Sequence, residues 1–362
     1  TGVRVRRWRN EIPTELQSRL RITGNDLNDF ALSWAINSHN SNLPDYTENI
    51  EMNHDRYGSM AQRLPVNGIY FQRMDAKLAM ADASYQWIDI DPFGSPVPFI
   101  DSAIQSLART GVLEVTATDT AALTGSSLSS QKRRYGAQGI VDDYAHDDAV
   151  RVLLGMIAKT AAMHDRIIKP ILSLFDGHHV RVSVLIKTSK GAASNFQEQL
   201  GYRLRTKDVP YKFIKYPSAD QIKSASGPLW IGPLMDKEIA GRLTEECAIQ
   251  TCLPTSDELE ELIAKGLAWS DKDVEYATRE MIRSVKHISS AADLLSRQHM
   301  LLSLNSMPRL AGTKGAPKMD DVISDLIELG YSAARYPDME PMFVTDASFD
   351  DVISIFRKYH YD

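Results

Sequence analysis

A short run of residues, Asp91-Pro92-Phe93-Gly94, brings together a carboxylate, a rigid turn and an aromatic ring. An exocyclic amine on a nucleobase is a poor nucleophile, because its lone pair is delocalised into the ring. A carboxylate that accepts hydrogen bonds from such an amine, and takes its proton during attack, restores the nucleophilicity. An aromatic face beside the carboxylate offers a stacking surface for a base that has left its helix. The run therefore favours chemistry on the amino group of a nucleobase.

The residues before this run predict where it lies. Tyr85–Ile90 is mostly aromatic and β-branched, as a buried parallel strand should be, and Asp91-Pro92 then ends the strand in a turn. Asp91 and Phe93 would lie at the carboxyl end of a strand, the edge of an open α/β sheet where ligands bind. A structural interpretation stays open at this point, namely a strand-ending Asp-Pro turn with Phe93 in the core.

Two further acids follow predicted strands. Residues 20–25 and 68–72 have strand character, and Asp26 and Asp75 come at or just after their ends. An acid at such a position receives ribose hydroxyls in nucleotide-binding α/β folds, and Asp75 could meet the amino edge of an adenine. Both acids are also good N-caps for the helices predicted after them, so this pattern alone leaves both interpretations open.

The amino terminus begins Thr1-Gly2-Val3-Arg4, with no initiator Met and no strand before it. We expect an N-terminally truncated piece in which the first strand of the sheet is missing. Gly2 would precede a helix that stops before Pro13. Small residues at a helix start let backbone amides approach an anionic group.

The order of the remaining elements indicates the architecture. Strands and helices alternate and then end in a β-hairpin, as in a parallel sheet with a reversed last strand. The sequence predicts a helix over 97–110, a strand over 112–119, a mobile loop over 125–135, a helix over 144–163, and a hairpin of Arg166–Phe175 with Val180–Thr188.

The chain changes character after residue 190, which we interpret as a domain boundary. Its 362 residues are enough for two domains, which we place at 1–190 and 191–362, with residues 190–194 as a linker. Helical periodicity dominates 238–304, and a helix with a two-stranded wing follows from 319 to 345. Such a wing is common in nucleic-acid-binding modules and is also a generic packing unit.

The composition excludes several protein classes. Hydrophobic residues make up 43% of the chain and charged residues 24%, as in ordinary soluble globular proteins. There is no membrane-spanning apolar run, and two cysteines suit neither a disulfide framework nor a zinc site. The net charge of −6 argues against a surface basic throughout, but not against a local basic face. We expect a cytoplasmic protein without a metal or a membrane partner, and a monomer is favoured.

The chain resembles the archaeal tRNA (guanine(26)-N(2))-dimethyltransferase family. The resemblance runs in order along most of the chain and is most specific around Asp91 and in the Gly-Pro-rich segment 227–233. It rests on Thr1-Gly2-Val3-Arg4, Asn25-Asp26, Met74-Asp75-Ala76, Ile88-Asp89-Ile90-Asp91-Pro92-Phe93-Gly94-Ser95-Pro96, Val115-Thr116-Ala117-Thr118-Asp119, Arg134-Tyr135 and Gly227-Pro228-Leu229-Trp230-Ile231-Gly232-Pro233.

This resemblance implies a fold and an activity. The fold would be a class I, Rossmann-like methyltransferase domain with a C-terminal α+β tRNA-binding domain. The activity would be transfer of one or two methyl groups from S-adenosyl-L-methionine to N2 of the guanine at position 26 of tRNA. The implied catalytic residues are Asp91, Pro92 and Phe93, and the implied cofactor-binding residues are Gly2, Arg4, Asp26, Asp75 and Ala76.

Two other functions stay open. An amino-methyltransferase of DNA or of another RNA usually carries an acid or Asn, then Pro-Pro, then an aromatic residue. Here Phe93 follows a single proline, which favours the tRNA substrate. The other alternative is a tRNA-binding piece without catalytic activity.

Overall fold

The computed structural model describes residues 2–40, 64–66, 69–253, 255–264, 266, 269–297, 299–337, 339 and 341–359. The chain divides into two compact units, Thr1–Ser84 and Tyr85–Asp362. We describe each unit by itself.

The first unit is a small three-stranded sheet with helices. Its helices are α1 (Val3–Glu11), α2 (Thr14–Gln17), α3 (Asp29–Asn40) and α4 (Ala76–Ala81), and its strands are β1 (Ile22–Asn25), β2 (Leu64–Val66) and β3 (Ile69–Gln72). The strand order is β1-β3-β2, with β1 parallel and β2 antiparallel to β3. Apolar residues of α3, such as Leu32 and Ile36, pack against Ile22, Ile69 and Phe71 of the sheet.

The second unit begins with a four-stranded sheet. Its elements are β4 (Tyr85–Ile90), α5 (Val97–Ser106), β5 (Leu107–Ala117), α6 (Thr120–Leu123), α7 (Leu128–Tyr135), α8 (Ala145–Met163), β6 (Arg166–Phe175) and β7 (Val180–Thr188). The order is β4-β5-β7-β6, with β4 parallel to β5 and the β6–β7 hairpin antiparallel. The predicted reversed hairpin is therefore confirmed. Alternate residues of β7, from Val180 to Ile186, are fully buried, as the period of a strand requires.

One predicted boundary in this sheet was wrong. The sequence predicted a helix over 97–110, but α5 ends at Ser106 and β5 starts at Leu107. The cause is tertiary, because Thr110 is paired with Lys187 of β7. The Arg166 guanidinium also donates to the carbonyl oxygens of Leu107 and Ala108, at 2.8 and 3.2 Å. These contacts hold the segment extended in spite of its helical pattern.

Two more predictions for irregular or helical segments were wrong. The expected mobile loop over 125–135 contains the helix α7. Residues 190–194, expected to be a linker, begin with a short helix, α9 (Lys190–Ala193). The helical segment predicted to reach residue 304 ends at Leu295 and gives way to a strand at Met300. In α7, the buried Gln131 side chain donates to the Leu123 carbonyl at 2.8 Å, which fastens the helix to its neighbour.

The rest of the second unit forms two small antiparallel sheets with helices. After a 3-10 turn at Phe196–Gln199 come β8 (Leu200–Arg205), β9 (Tyr211–Ile214), α10 (Ala219–Lys223), β10 (Ala225–Trp230), α11 (Lys237–Ala240), α12 (Glu245–Cys252), α13 (Ser256–Ala264), α14 (Asp271–Leu295), β11 (Met300–Ser303), α15 (Met307–Ala311), α16 (Met319–Glu328), β12 (Ala333–Arg335), β13 (Met342–Thr345) and α17 (Phe349–Lys358). The strand orders are β10-β8-β9 and β11-β13-β12. The predicted helix with its two-stranded wing is α16 with β12 and β13, completed by β11.

A buried ion pair joins α8 to the β8 sheet. Arg203 of β8 is fully buried, and its guanidinium donates to both carboxylate oxygens of Asp148, at 2.8 and 2.6 Å. It also donates to both oxygens of Asp142, at 3.1 and 2.9 Å. Burial alone would lower the pKa of Arg203, but Asp148 and then Asp142 raise it above its usual value. The guanidinium is therefore charged and fully compensated inside the protein.

A second buried pair connects α8 with both small sheets. The Arg151 guanidinium donates to Asp147 at 2.6 Å and to the Trp230 carbonyl at the end of β10 at 3.2 Å. The Tyr336 hydroxyl, just after β12, donates to the other oxygen of Asp147 at 3.0 Å. The first two turns of α8 therefore fasten both small sheets to this helix.

We predict that Arg203→Met destabilises the second unit by about 3–5 kcal/mol, because it leaves two carboxylates without their buried partner. The matched change Arg205→Met, two residues further along β8, removes an exposed guanidinium that also contacts Asp142. That control should cost about 1 kcal/mol or less. Urea unfolding followed by circular dichroism measures both, and equal effects of the two variants would contradict a dominant role for Arg203.

Candidate functional site

The turn that follows β4 presents the predicted chemical groups to solvent. Asp91 comes directly after Ile90, which is paired with Val115 of the parallel strand β5. Asp91 is exposed, and the Phe93 side chain is fully exposed. The structural interpretation with Phe93 in the core is therefore wrong. An exposed aromatic ring two residues from a carboxylate can stack on a planar ligand while the carboxylate contacts the edge of that ligand.

The backbone of this turn is clamped to the neighbouring strand. The Gly94 amide donates to the Thr118 hydroxyl at 2.7 Å, and the Thr118 amide donates to the Gly94 carbonyl at 3.0 Å. Gly94 has a φ angle of 79°, a left-handed conformation that other residues adopt only with strain. Thr118 follows the end of β5, so the clamp fixes the turn to the carboxyl end of the adjacent strand.

A second set of hydrogen bonds holds the next residue of the turn. The Ser95 and Tyr135 hydroxyls lie 3.1 Å apart, and the Tyr135 hydroxyl donates to Asp119 at 2.6 Å. Arg134 donates to the other oxygen of Asp119 at 2.9 Å. Burial, and then the hydrogen bond to Asp119, raises the pKa of Tyr135 well above its usual value. The phenol therefore keeps its proton and remains a donor at physiological pH.

Arg181 links the strands β4, β5 and β7 through polar contacts below the turn. Arg181 of β7 donates to Thr116 at 2.7 Å and to the two oxygens of Asp89 at 3.3 and 3.2 Å. It also pairs with Glu114, which is the register partner of Asp89. One guanidinium therefore compensates two carboxylates that would otherwise repel each other across β4 and β5.

Sequence reasoning did not identify the residues that hold the turn. Thr118-Asp119 and Arg134-Tyr135 contributed to the family resemblance, but their contacts with Gly94 and Ser95 were not predicted. A usable signal was present, because Thr118 and Asp119 are the polar residues that directly follow a predicted strand next to β4. Carboxyl ends of adjacent parallel strands lie side by side.

In the first unit, Asp26 and Asp75 follow neighbouring parallel strands. Asn25 at the end of β1 is paired with Gln72 at the end of β3, and the Asp26 amide donates to the Gln72 carbonyl at 3.3 Å. The structure therefore places both acids just past the carboxyl edge of the same strand pair, as their positions in the sequence predicted. Asp26 is exposed and Asp75 is half-buried.

The side chains of the two acids also have local partners. Asp75 caps α4 by accepting from the Lys77 amide at 2.9 Å, so the N-cap interpretation holds for this residue. Asp26 accepts from the Asn28 amide at 2.8 Å, and Asn28 rather than Asp26 accepts from the Phe30 amide in the first turn of α3. A carboxylate has about four acceptor positions, so these bonds leave both acids able to bind a ligand.

One buried acceptor at this edge has no described partner. The Asn25 Nδ2 atom donates to the Met74 carbonyl at 3.0 Å, which orients the amide. Its Oδ1 atom is buried and accepts no hydrogen bond from any residue in the described ranges. A buried acceptor is costly unless a donor satisfies it, and a ligand hydroxyl or amine would do so.

The remaining predicted binding residues lie at helix starts. Gly2 immediately precedes α1 with a φ angle of 69°, and a Cβ atom there would lie 2.8 Å from the Ala35 Cβ. Arg4 is in the first turn of α1 and is half-buried. Ala76 is the first residue of α4. Only a small residue fits at Gly2, and this close approach ties the start of α1 to α3.

A cavity of the second unit lies elsewhere. It has a volume of about 650 Å³ and is lined by the first half of β6, from Arg166 to Pro170, together with Phe196, Trp230 and Asp236. Arg166 is paired with Thr188, at the opposite end of the hairpin from the edge that carries Asp91. The cavity is therefore not part of the candidate site.

Within the described ranges, no group of three or more His, Cys, Asp or Glu residues is arranged to hold a metal ion. No helix in the same ranges is both long and apolar enough to cross a membrane.

Comparison with known proteins identifies the family. A sequence model of the family described as TRM, N2,N2-dimethylguanosine tRNA methyltransferase, matches residues 1–305. The chain belongs to this family. The resemblance drawn from the motifs is therefore confirmed.

Individual relatives agree with this assignment. The tRNA (guanine(26)-N(2))-dimethyltransferase of Metallosphaera sedula is 36% identical over 216 residues, which is 56% of this chain and 56% of that protein, so the match spans about half of it. The protein of the same name from Thermococcus kodakarensis is 28% identical over 99% of this chain and 84% of its own length. A solved structure of Trm1 from Pyrococcus horikoshii with S-adenosyl-L-methionine has a TM-score of 0.74 and 26% identity, covering 98% of this chain and 85% of that one. The predicted α/β methyltransferase fold is confirmed.

We predict that Thr118→Val loosens the turn, because the Gly94 amide loses its acceptor. A hydrogen bond of this kind contributes about 0.5–1.5 kcal/mol, so exchange of the Gly94 amide should become roughly 2- to 13-fold faster. Hydrogen–deuterium exchange of peptides covering residues 91–96 measures this. Thr110→Val, at an exposed position of the same strand, is the control and should leave the exchange unchanged. Equal protection in the two variants would show that the clamp does not hold the turn.

Proposed function

We propose that this chain transfers one or two methyl groups from S-adenosyl-L-methionine to the exocyclic N2 of guanine at position 26 of tRNA. The observation that carries the proposal is the exposed pair Asp91 and Phe93, on a turn whose backbone is clamped by Thr118. Membership of the dimethylguanosine tRNA methyltransferase family supports the same activity and substrate.

Asp91 acts on the amine in this proposal. The guanine N2 lone pair is delocalised, so the carboxylate would accept hydrogen bonds from the amino group, orient it and take its proton during attack. Phe93 would stack on a planar ring, and Pro92 would fix the direction of the chain between them. Because the clamp at Gly94 restrains the turn before any substrate arrives, little positional freedom is lost on binding.

Residues of the first unit bind the cofactor in this proposal, namely Gly2, Arg4, Asp26, Asp75 and Ala76. When bound, S-adenosyl-L-methionine supplies an electrophilic methyl group on a sulfonium. Asp26 would accept hydrogen bonds from vicinal ribose hydroxyls, and Asp75 would contact the amino edge of the adenine. The unsatisfied Asn25 Oδ1 between these acids supports a ligand with hydrogen-bond donors.

We also propose that residues 1–190 form the methyltransferase domain and that residues 191–362 recognise tRNA. A guanine inside a folded tRNA must be extruded, which costs a few kcal/mol of stacking that contacts elsewhere must offset. Two small sheets, rigidly fastened to α8 through Arg203 and Arg151, are suited to provide such contacts.

The activity is tested with unmodified tRNA and cofactor labelled on its methyl group. We expect label in N2-methylated guanosine with a tRNA carrying guanine at position 26, and none with the same tRNA carrying adenine there. Binding of tRNA without incorporation would instead support a non-catalytic tRNA-binding protein. Label at another base would favour a different amino-methyltransferase.

We predict that Asp91→Ala lowers kcat by about 10²–10⁴-fold, the range typical of a lost general base. The affinity for tRNA should remain near the wild-type value, because the carboxylate contacts an amine and no phosphate. Single-turnover methylation and a filter-binding titration measure the two quantities. Equal losses of binding and turnover would contradict the assigned role.

We predict that Asp26→Ala weakens binding of S-adenosyl-L-methionine by roughly 10- to 100-fold, because hydrogen bonds to a charged acceptor contribute about 1.5–3 kcal/mol. Isothermal titration calorimetry measures the affinity in the absence of tRNA. Glu15→Ala removes one exposed carboxylate from α2 in the same unit and should leave the affinity unchanged. If both variants bound the cofactor like the wild type, Asp26 would not be a ligand.

A further inference from the structure

The helix α7 has one anchored face and one exposed basic face. Gln131 is fully buried and Tyr135 nearly so, and they lie four residues apart on one side of the helix. Lys132 and Arg133 are exposed, in the last turn before Gly136 ends the helix. We call Lys132 and Arg133 the α7 basic pair.

The charges of the α7 basic pair are not compensated within the described structure. Arg134 pairs with Asp119, but neither Lys132 nor Arg133 has an ion pair with any described residue. Among the described residues, Arg133 makes a long side-chain hydrogen bond of 3.5 Å to the Ser130 hydroxyl. In a chain with 47 acidic and 41 basic residues, two adjacent uncompensated cations mark a local surface for an anion.

The helix dipole explains only part of this arrangement. Cations near a helix C-terminus are stabilised by about 0.3–1 kcal/mol at the surface, which accounts for basic residues in this turn of α7. It does not account for their place beside the candidate site. Tyr135 contacts Ser95 and Asp119, while Thr118, next to Asp119, clamps Gly94. The α7 basic pair is therefore within one helical turn of the groups that hold the Asp91 turn.

We propose that Lys132 and Arg133 bind the phosphates next to the guanosine that enters the site. This inference rests on the proposed function. A nucleotide can leave its stack only if its backbone rotates, and cations that hold the flanking phosphates stabilise the rotated form. Because Arg134 and Tyr135 fasten α7 to Asp119 at the sheet edge, and Gln131 fastens it to α6, the helix that carries these two cations has a defined position relative to the Asp91 turn.

Charge complementarity selects RNA phosphate as the partner. Lys132, Arg133 and the ring of Phe93 are all exposed, and the Ser95–Tyr135 contact joins α7 to the turn that carries Phe93. Single-stranded nucleic acid is bound by positive charge together with stacking surfaces. Lys and Arg contacts to phosphate are independent of base sequence, so this surface would position the substrate and would not choose the base.

The test is the double variant Lys132→Ala/Arg133→Ala. We expect tRNA binding at about 0.1 M salt to weaken on the order of tens-fold, and the slope of log K against log salt to fall by about 2 in magnitude. The kcat at saturating tRNA should change less than about threefold, since neither side chain is assigned a part in the chemistry. The Lys132→Gln/Arg133→Gln variant keeps longer side chains and should behave in the same way.

A matched control removes one Arg and one Lys from the opposite edge of the same sheet. Arg109 and Lys187 are exposed there, where Thr110 is paired with Lys187, and Arg109→Ala/Lys187→Ala should keep wild-type affinity and salt slope. Equal weakening in both double variants would show a general charge effect and overturn the proposal, as would an unchanged salt slope in the α7 variant.

The salt titration measures only the binding of tRNA, so its outcome does not depend on the outcome of the methylation assay. A wild-type protein that binds tRNA without methylating it would contradict the proposed function and still leave the α7 contact measurable. A methylating wild-type protein with an unaffected α7 variant would contradict only the phosphate contact.

Discussion

The reciprocal hydrogen bonds between Gly94 and Thr118 are the constraint on which the candidate site depends. Asp91 and Phe93 are exposed, and the backbone bonds of Gly94 restrain the turn that carries them. Two bonds from a single neighbouring residue fix the turn in both directions. The left-handed conformation of Gly94 makes this geometry possible without strain. The main-chain hydrogen bonds of Gly94 thus restrain the turn that carries the two exposed side chains proposed to act on the substrate.

Hydrogen bonds of Tyr135 with Ser95 and Asp119 also connect the helix α7 to the turn after β4. Asp119 accepts from both Tyr135 and Arg134, and the raised pKa of Tyr135 keeps the phenol in its donor form. The same helix that contacts Ser95 also carries the α7 basic pair, so the proposed phosphate contact and the turn after β4 are attached to one helix.

The buried charges of α8 join this helix to the two small sheets of the second unit. Buried ion pairs add little net stability compared with apolar packing, but they are costly to break and they define one geometry. Arg203 and Arg151 each join α8 to a strand of the β8 sheet, and Tyr336 joins it to the segment after β12. Both small sheets are thereby fastened to α8 by buried polar contacts.

The sequence by itself determined the features that depend on local pattern. The strand Tyr85–Ile90, the turn forced by Pro92 and the β6–β7 hairpin follow from side-chain periodicity and backbone restriction, and the motifs were enough to identify the family. Tertiary structure decided the rest, because contacts between distant residues leave no periodic signal. Thr118 and Tyr135 reach the turn from 24 and 40 residues away, and pairing of Leu107 with β4 and of Thr110 with β7 makes a strand of residues 107–110. The chain thus encodes its chemical groups locally, while their positions come from partners that only the folded sheet brings together.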